Sequence, residues 1–177
     1  YYVSLLSAAA LHGASHQQPQ TFQVMTDRSV RSVLAGRTRI RFFASQYVDR
    51  AAAIQMKTPT GTMQVSSPET TVVDLVRFVK AAGHLDHVAS VIGELAPSLR
   101  SKHLVTALAV VHDIPNTQRL GYILDELGER KLSDSVHRWV QSRIDRFQPL
   151  RPGQSMDHAP ENRRWHLLIN GPVEIES

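Results

Sequence analysis

"SSPETTVVDLVRFVKAAG", Ser66–Gly83, is where the chain changes character. Before it, polar and apolar residues alternate in short β-rich runs. From it onward, apolar residues recur at helical spacing. Ser67 predicts an N-cap, Pro68 the first helical position, Glu69 a first-turn acid and Gly83 the stop. Val72, Leu75, Val76 and Val79 form the stripe that such a helix would bury. Strands first and helices afterwards predict an α+β fold. The expectation is a mixed or antiparallel sheet of about four to six strands, with about five helices from the C-terminal half packed on it.

Toward the N-terminus, "AIQMKTP" and "GTMQVSS" flank Thr60-Gly61 and read as a hairpin. "RTRIRFF" (Arg37–Phe43) alternates: Arg37, Arg39 and Arg41 point one way, while Thr38, Ile40 and Phe42 point the other. "TFQVMTD" (Thr21–Asp27) is a further strand. Ser4 to His12 predicts a short helix capped by Ser4 and stopped by Gly13. His12 and His16 would share a helix face only if the helix ran through both, and Gly13 argues against that. No local carboxylate or imidazole completes a metal site around the pair.

Toward the C-terminus, helices are expected over about Asp86–Leu95, around Leu104, Leu108 and Val111, after "HDIPN" with Asn116 as cap, and over about Ser133–Ile144. Phe147 to Asn162 reads as an extended loop. "RRWHLLIN" (Arg163–Asn170) predicts a late strand. After the Gly171-Pro172 turn, "VEIES" is expected to return and pair with the early strands, so residues 1–177 are expected to form one domain.

Composition narrows the chemistry. The 177 residues contain no cysteine, which excludes disulfides, thiolate metal sites and cysteine nucleophiles and fits a cytoplasmic compartment. No apolar run is long enough to cross a membrane. The chain opens on Tyr1 without a methionine, so it is expected to be a fragment whose missing part carries some of the function. Net charge is +4, unevenly placed: residues 1–57 hold seven Arg/Lys against two acids, while the remainder holds thirteen bases and fourteen acids. Such a basic first third suits an anionic partner, and also suits a merely solvated face.

No nucleophile elbow, phosphate-binding glycine loop or dinucleotide fingerprint is present. "HLDH" (His84–His87) and His112-Asp113 could hold a metal in principle, but scattered, capped histidines are the simpler reading. Asp74, inside an apolar helix, is expected in a salt bridge or hydrogen bond. No acid–base pair emerges, so neither an enzyme nor a cofactor is expected. Alternate arginines on a strand lie about 7 Å apart, comparable with successive phosphates. Arg37, Arg39 and Arg41, with Arg28 and Arg31, are therefore the candidate contacts to nucleic acid or an acidic partner. The same charges would equally keep an exposed sheet face soluble and unpaired.

Four stretches taken in order, "YYVSLLSAAALHGASHQQPQTFQV", "TPTGTMQVSSPETTVVDLV", "QRLGYILDELG" and "RRWHLLIN…VEIE", resemble the AbiEi-type antitoxins of type IV toxin–antitoxin systems. The resemblance covers most of the chain and implies an antitoxin domain that lacks the family's N-terminal winged helix-turn-helix. It implies a nucleotidyltransferase-like toxin as the antagonised partner, and operator DNA as the partner of the missing domain. It implies no catalytic residue. "LHGASHQQPQ" then looks like a helix-to-strand corner, with His12 or His16 hydrogen-bonded to the backbone.

Overall fold

A computed structural model describes residues 1–14 and 19–175. His16 lies outside the described residues. The chain runs β1 (Tyr2–Val3), α1 (Leu5–Leu11), β2 (Thr21–Thr26), β3 (Val33–Ala35), β4 (Thr38–Ala44), β5 (Ala53–Thr58) and β6 (Gly61–Ser66). Helices α2 (Pro68–Arg77), α3 (Leu85–Leu95), α4 (Ser101–Val111), α5 (Ile114–Glu126) and α6 (Arg130–Val140) follow. Three two-residue strands close it: β7 (Gln148–Pro149), β8 (Glu161–Asn162) and β9 (Leu167–Leu168).

The first six strands form one mixed sheet in the order β3-β4-β2-β1-β6-β5. β1 pairs parallel with β6 and antiparallel with β2, and β2 pairs parallel with β4. The fold is therefore α+β with a six-stranded sheet and the helices mostly in the C-terminal half. Residues opposite each other across the strands share a face. Tyr2, Met25 and Phe43 are matched in this way, and all three join the main core with α2–α6. Val3 and Val65, on the reverse face, form a small second cluster with Ala8, flanked by Phe22, Met56 and Met63.

Both hairpins turn in two residues. In β3–β4 the connection is Gly36-Arg37, with Gly36 at φ 63°, a conformation that side-chain-bearing residues resist. In β5–β6, Thr58 pairs with Gly61, so the connection is Pro59-Thr60 and not the Thr60-Gly61 expected from sequence.

Ser67 caps α2 as anticipated, its side chain accepting from the Thr70 N–H at 3.1 Å. The helix nevertheless ends at Arg77, six residues short of Gly83, leaving Val79 outside it. Tertiary contacts explain the early stop: Phe78 turns to meet Phe43 edge-on at 6.0 Å, and the Ala81 carbonyl accepts from Gln23 Nε2 at 3.0 Å. The α5 cap is Asp113 and not Asn116. Its Oδ1 accepts the Asn116 N–H at 3.1 Å, three residues on, as capping geometry requires.

The largest departure is at the C-terminus. The late segment does not rejoin the main sheet. β7, β8 and β9 form a separate three-stranded sheet, and Val173–Ile175 pair with no strand. Side chains of α5 and α6 capture this segment instead. Gln118 Nε2, fully buried, donates to the carbonyls of Trp165 at 2.9 Å and His166 at 3.0 Å. Trp165 Nε1 donates to Asp125 Oδ2 at 2.7 Å, and Arg164 reaches Asp134 at 2.6 Å. The core cluster that begins at Tyr2 thus extends to Val173.

Candidate functional site

Arg39 and Arg41 lie on β4 and are exposed, as alternation predicts. Arg37 sits in the Gly36-Arg37 connection, so the strand carries two of the three guanidinium groups. Their face also departs from the expectation. Arg41 pairs with Gln23, and Phe43 with Met25, so the arginines share the face on which Met25 and Phe43 join the core, and they remain exposed there. Ile40 and Phe42, on the reverse face, are only half-buried. The Arg41 guanidinium rests 5.0 Å from the Phe43 ring centroid, and Arg39 Nη1 reaches Ser32 Oγ at 3.5 Å. Arg28 and Arg31 are exposed in the β2–β3 connection, where Arg28 meets Asp27 at 3.6 Å. This wing also exposes Val30, Val33 and Leu34, the last at 64%. β3 is an edge strand, so the wing combines positive charge, apolar side chains and an unpaired backbone edge.

His12 is engaged locally. α1 stops at Leu11, and His12 Nε2–H donates to the Ser66 carbonyl at 2.8 Å, tying the corner to the start of α2. His84 caps α3, its Nδ1 accepting the His87 N–H at 3.2 Å. Asp86 is engaged by Arg151 Nη2 and by the Glu174 N–H, at 2.7 and 2.8 Å. Among the described residues no three His, Asp or Glu side chains cluster as metal ligands would.

Asp74 is 1% exposed and held on both oxygens. Tyr2 Oη–H donates to Oδ2 at 2.7 Å, and Arg77 Nη1 donates to Oδ1 at 2.9 Å. Burial pushes the carboxyl above the usual carboxylate range, against the opposing pull of Tyr2 and Arg77. Burial, and then the neighbouring Asp74 charge, pushes the Tyr2 phenol up as well. Arg77 also lies 5.2 Å from the rings of both Tyr47 and Phe78. This group clamps β1 onto α2. A buried, fully engaged carboxylate can hold the sheet against the helices but has no access to a substrate.

Sequence reasoning missed a second basic grouping. Lys80, His84, Arg119 and Arg151 line one cavity of about 190 Å³. They come from three distant segments, so no spacing in the sequence announces them.

A family model described as "AbiEi antitoxin C-terminal domain" matches residues 2–126. Among solved structures, the crystal structure of RV2827C protein from Mycobacterium tuberculosis superposes with a TM-score of 0.67 at 15% identity. That match covers 94% of this chain and 61% of the other, so this chain spans less than two thirds of that protein's length. At such identity the likeness is one of fold. No curated protein matches the chain. No helix among the described residues is long and apolar enough to cross a membrane.

Proposed function

The chain belongs to the AbiEi antitoxin C-terminal domain family, and from that premise we propose that residues 1–177 act as one unit opposing a nucleotidyltransferase-like toxin in a type IV system. The observation that carries this reading is the family match over residues 2–126, which takes in the whole six-stranded sheet and helices α1–α5. The unit works in the cytoplasm through its surface, and no bond is made or broken by its side chains. Operator binding and autoregulation belong, in this reading, to a winged-helix segment outside these residues.

The surface offered to the partner is the basic wing. Arg39 and Arg41 on β4 are flanked by Arg28, Arg31 and Arg37 on the connections around it. Exposed Val33 and Leu34 supply the apolar contact that charge alone lacks. The favoured partner is thus an acidic protein surface. Co-expression with the toxin gene encoded beside this one tests the reading. Growth restored by the wild-type chain supports it, and a folded chain that gives no rescue removes it.

A second reading rests on the same arginines. Arg39 and Arg41, exposed on one strand face, could track a nucleic-acid backbone. Aromatic support for base stacking is weak, because Phe43 is packed on the core. This reading requires binding that falls steeply with salt and weakens when Arg39 and Arg41 become alanine. Salt-independent binding, or none at low salt, eliminates it.

A further inference from the structure

A buried guanidinium normally sits against a carboxylate, because leaving the charge unpaired in a low-dielectric interior is costly. Arg119 breaks that pattern. It is 8% exposed, yet no carboxylate lies within ion-pair distance among the described residues. Its Nε donates to the Pro149 carbonyl at 3.1 Å and its Nη1 to Asn116 Oδ1 at 2.8 Å, both neutral acceptors. Asp113 is near enough to be felt, but its two oxygens are turned to the Asn116 N–H and Nδ2. Nη2 makes no protein hydrogen bond among the described residues.

Arg119 forms part of the wall of the 190 Å³ cavity between α2, α3, α5 and the loop after β7. Lys80, His84 and Arg151 stand in the same wall, and no Asp or Glu among the described residues does. Arg151 is fixed in place by Asp86 at 2.7 Å and by the carbonyls of Gly171 and Pro172 at 3.0 and 2.8 Å. His84 Nδ1 accepts the His87 N–H, so in the neutral ring the proton sits on Nε2, which is then free to donate. Asn116, in the first turn of α5, and His84 and Leu85, at the start of α3, also line the space. The N-termini of both helices thus border the space, each already carrying one acid, Asp113 on α5 and Asp86 on α3, outside the wall itself.

We propose that this cavity binds the phosphate head of a small phosphomonoester, with Arg119 and Lys80 supplying its charge contacts. A dianion suits a wall with this excess of positive groups better than a single carboxylate does. The volume falls below the roughly 300 Å³ at which drug-sized sites begin, so a phosphate with a short organic body fits and a whole dinucleotide does not. The site shares no residue with the arginine wing and stands independently of the antitoxin reading.

The test is an amide NMR titration of the ¹⁵N-labelled chain with inorganic phosphate and with glycerol phosphate, at constant ionic strength set with chloride. Acetate forms the carboxylate arm. The expected result is saturable shifts at Lys80, His84, Asn116, Arg119 and Arg151 for both phosphates. Lys80→Ala, an exposed change that leaves folding intact, should weaken binding about fivefold. Arg119→Gln should abolish it, with the Lys80→Ala arm standing should that variant not fold. Shifts that fail to saturate, equal shifts with acetate, phosphate binding without glycerol phosphate, or an unchanged affinity in Lys80→Ala would each overturn the assignment.

Discussion

Gly121→Ala probes the joint between the helical layer and the C-terminal segment. A Cβ built at Gly121 meets Trp165 at 2.0 Å from Cζ3, 2.2 Å from Cη2 and 2.4 Å from Cε3. Ordinary carbon contacts are about 3.5–4.0 Å, so the indole must retreat by roughly 1.5 Å. It has nowhere to go: Trp165 is fully buried, and its Nε1 is held by Asp125 Oδ2 at 2.7 Å. Overpacking costs about 1–3 kcal/mol. Loss of a hydrogen bond to a charged acceptor adds about 1.5–3 kcal/mol. Replacing a helical glycine by alanine returns about 1 kcal/mol. The net expectation is a loss of about 3 kcal/mol, or roughly 6–12 °C of melting temperature for a chain of this size. Thermal and urea melts followed by near-ultraviolet circular dichroism measure it. Trp165→Leu in the same chain should then interact strongly with Gly121→Ala, since a smaller side chain relieves the clash. A Gly121→Ala protein as stable as wild type, or more stable as exposed helical glycines become, would refute this packing.

Other perturbations separate the clamp, the wing and the tail. Asp74→Ala leaves Arg77 without its carboxylate and should cost about 3–5 kcal/mol in urea unfolding, whereas Tyr2→Phe should cost only about 1.5–3 kcal/mol. On the wing, Arg39→Ala should change stability by under about 0.5 kcal/mol, while Arg41→Ala should cost up to about 1 kcal/mol through its contact with the Phe43 ring. For Asp86, burial alone would raise the carboxyl, but the Arg151 hydrogen bond, the Glu174 N–H and the charges of Arg151 and His84 together hold it below its ordinary value. Its stabilising contribution is therefore complete above about pH 4 and lost as pH falls through the lowered value. The Glu174 amide resonance should move over that acidic window in wild type and not in Asp86→Asn.

Much of the local chemistry that sequence neighbours decide was legible, though the α5 cap was placed at Asn116 and not at Asp113. Ser67-Pro68 announces the start of α2, and the runs around Thr60 announce the β5–β6 hairpin, although its turn falls one residue earlier than expected. The change from period-two to helical patterning at Ser66 separates sheet from helices. What could not be read depends on distant partners. The end of α2 at Arg77 is set by Phe43 and Gln23, more than thirty residues upstream. The tail pairs with itself because Gln118, Gly121 and Asp125 on α5 present a slot for Trp165, and nothing in "RRWHLLIN" shows that slot. The arginine strand was visible by alternation, but strand pairing decides which face it occupies. The cavity lined by Lys80 and Arg119 exists only once α2, α5 and the β7 loop meet.

In the proposed reading this family member opposes its toxin through the charged wing of its sheet. The most direct measurement is growth of cells expressing the neighbouring toxin together with either the wild-type chain or Arg39→Glu/Arg41→Glu, with folding of both verified by their melts. Rescue by the wild type, lost in a charge-reversed chain that melts normally, is the predicted result. Equal rescue by both would contradict that reading.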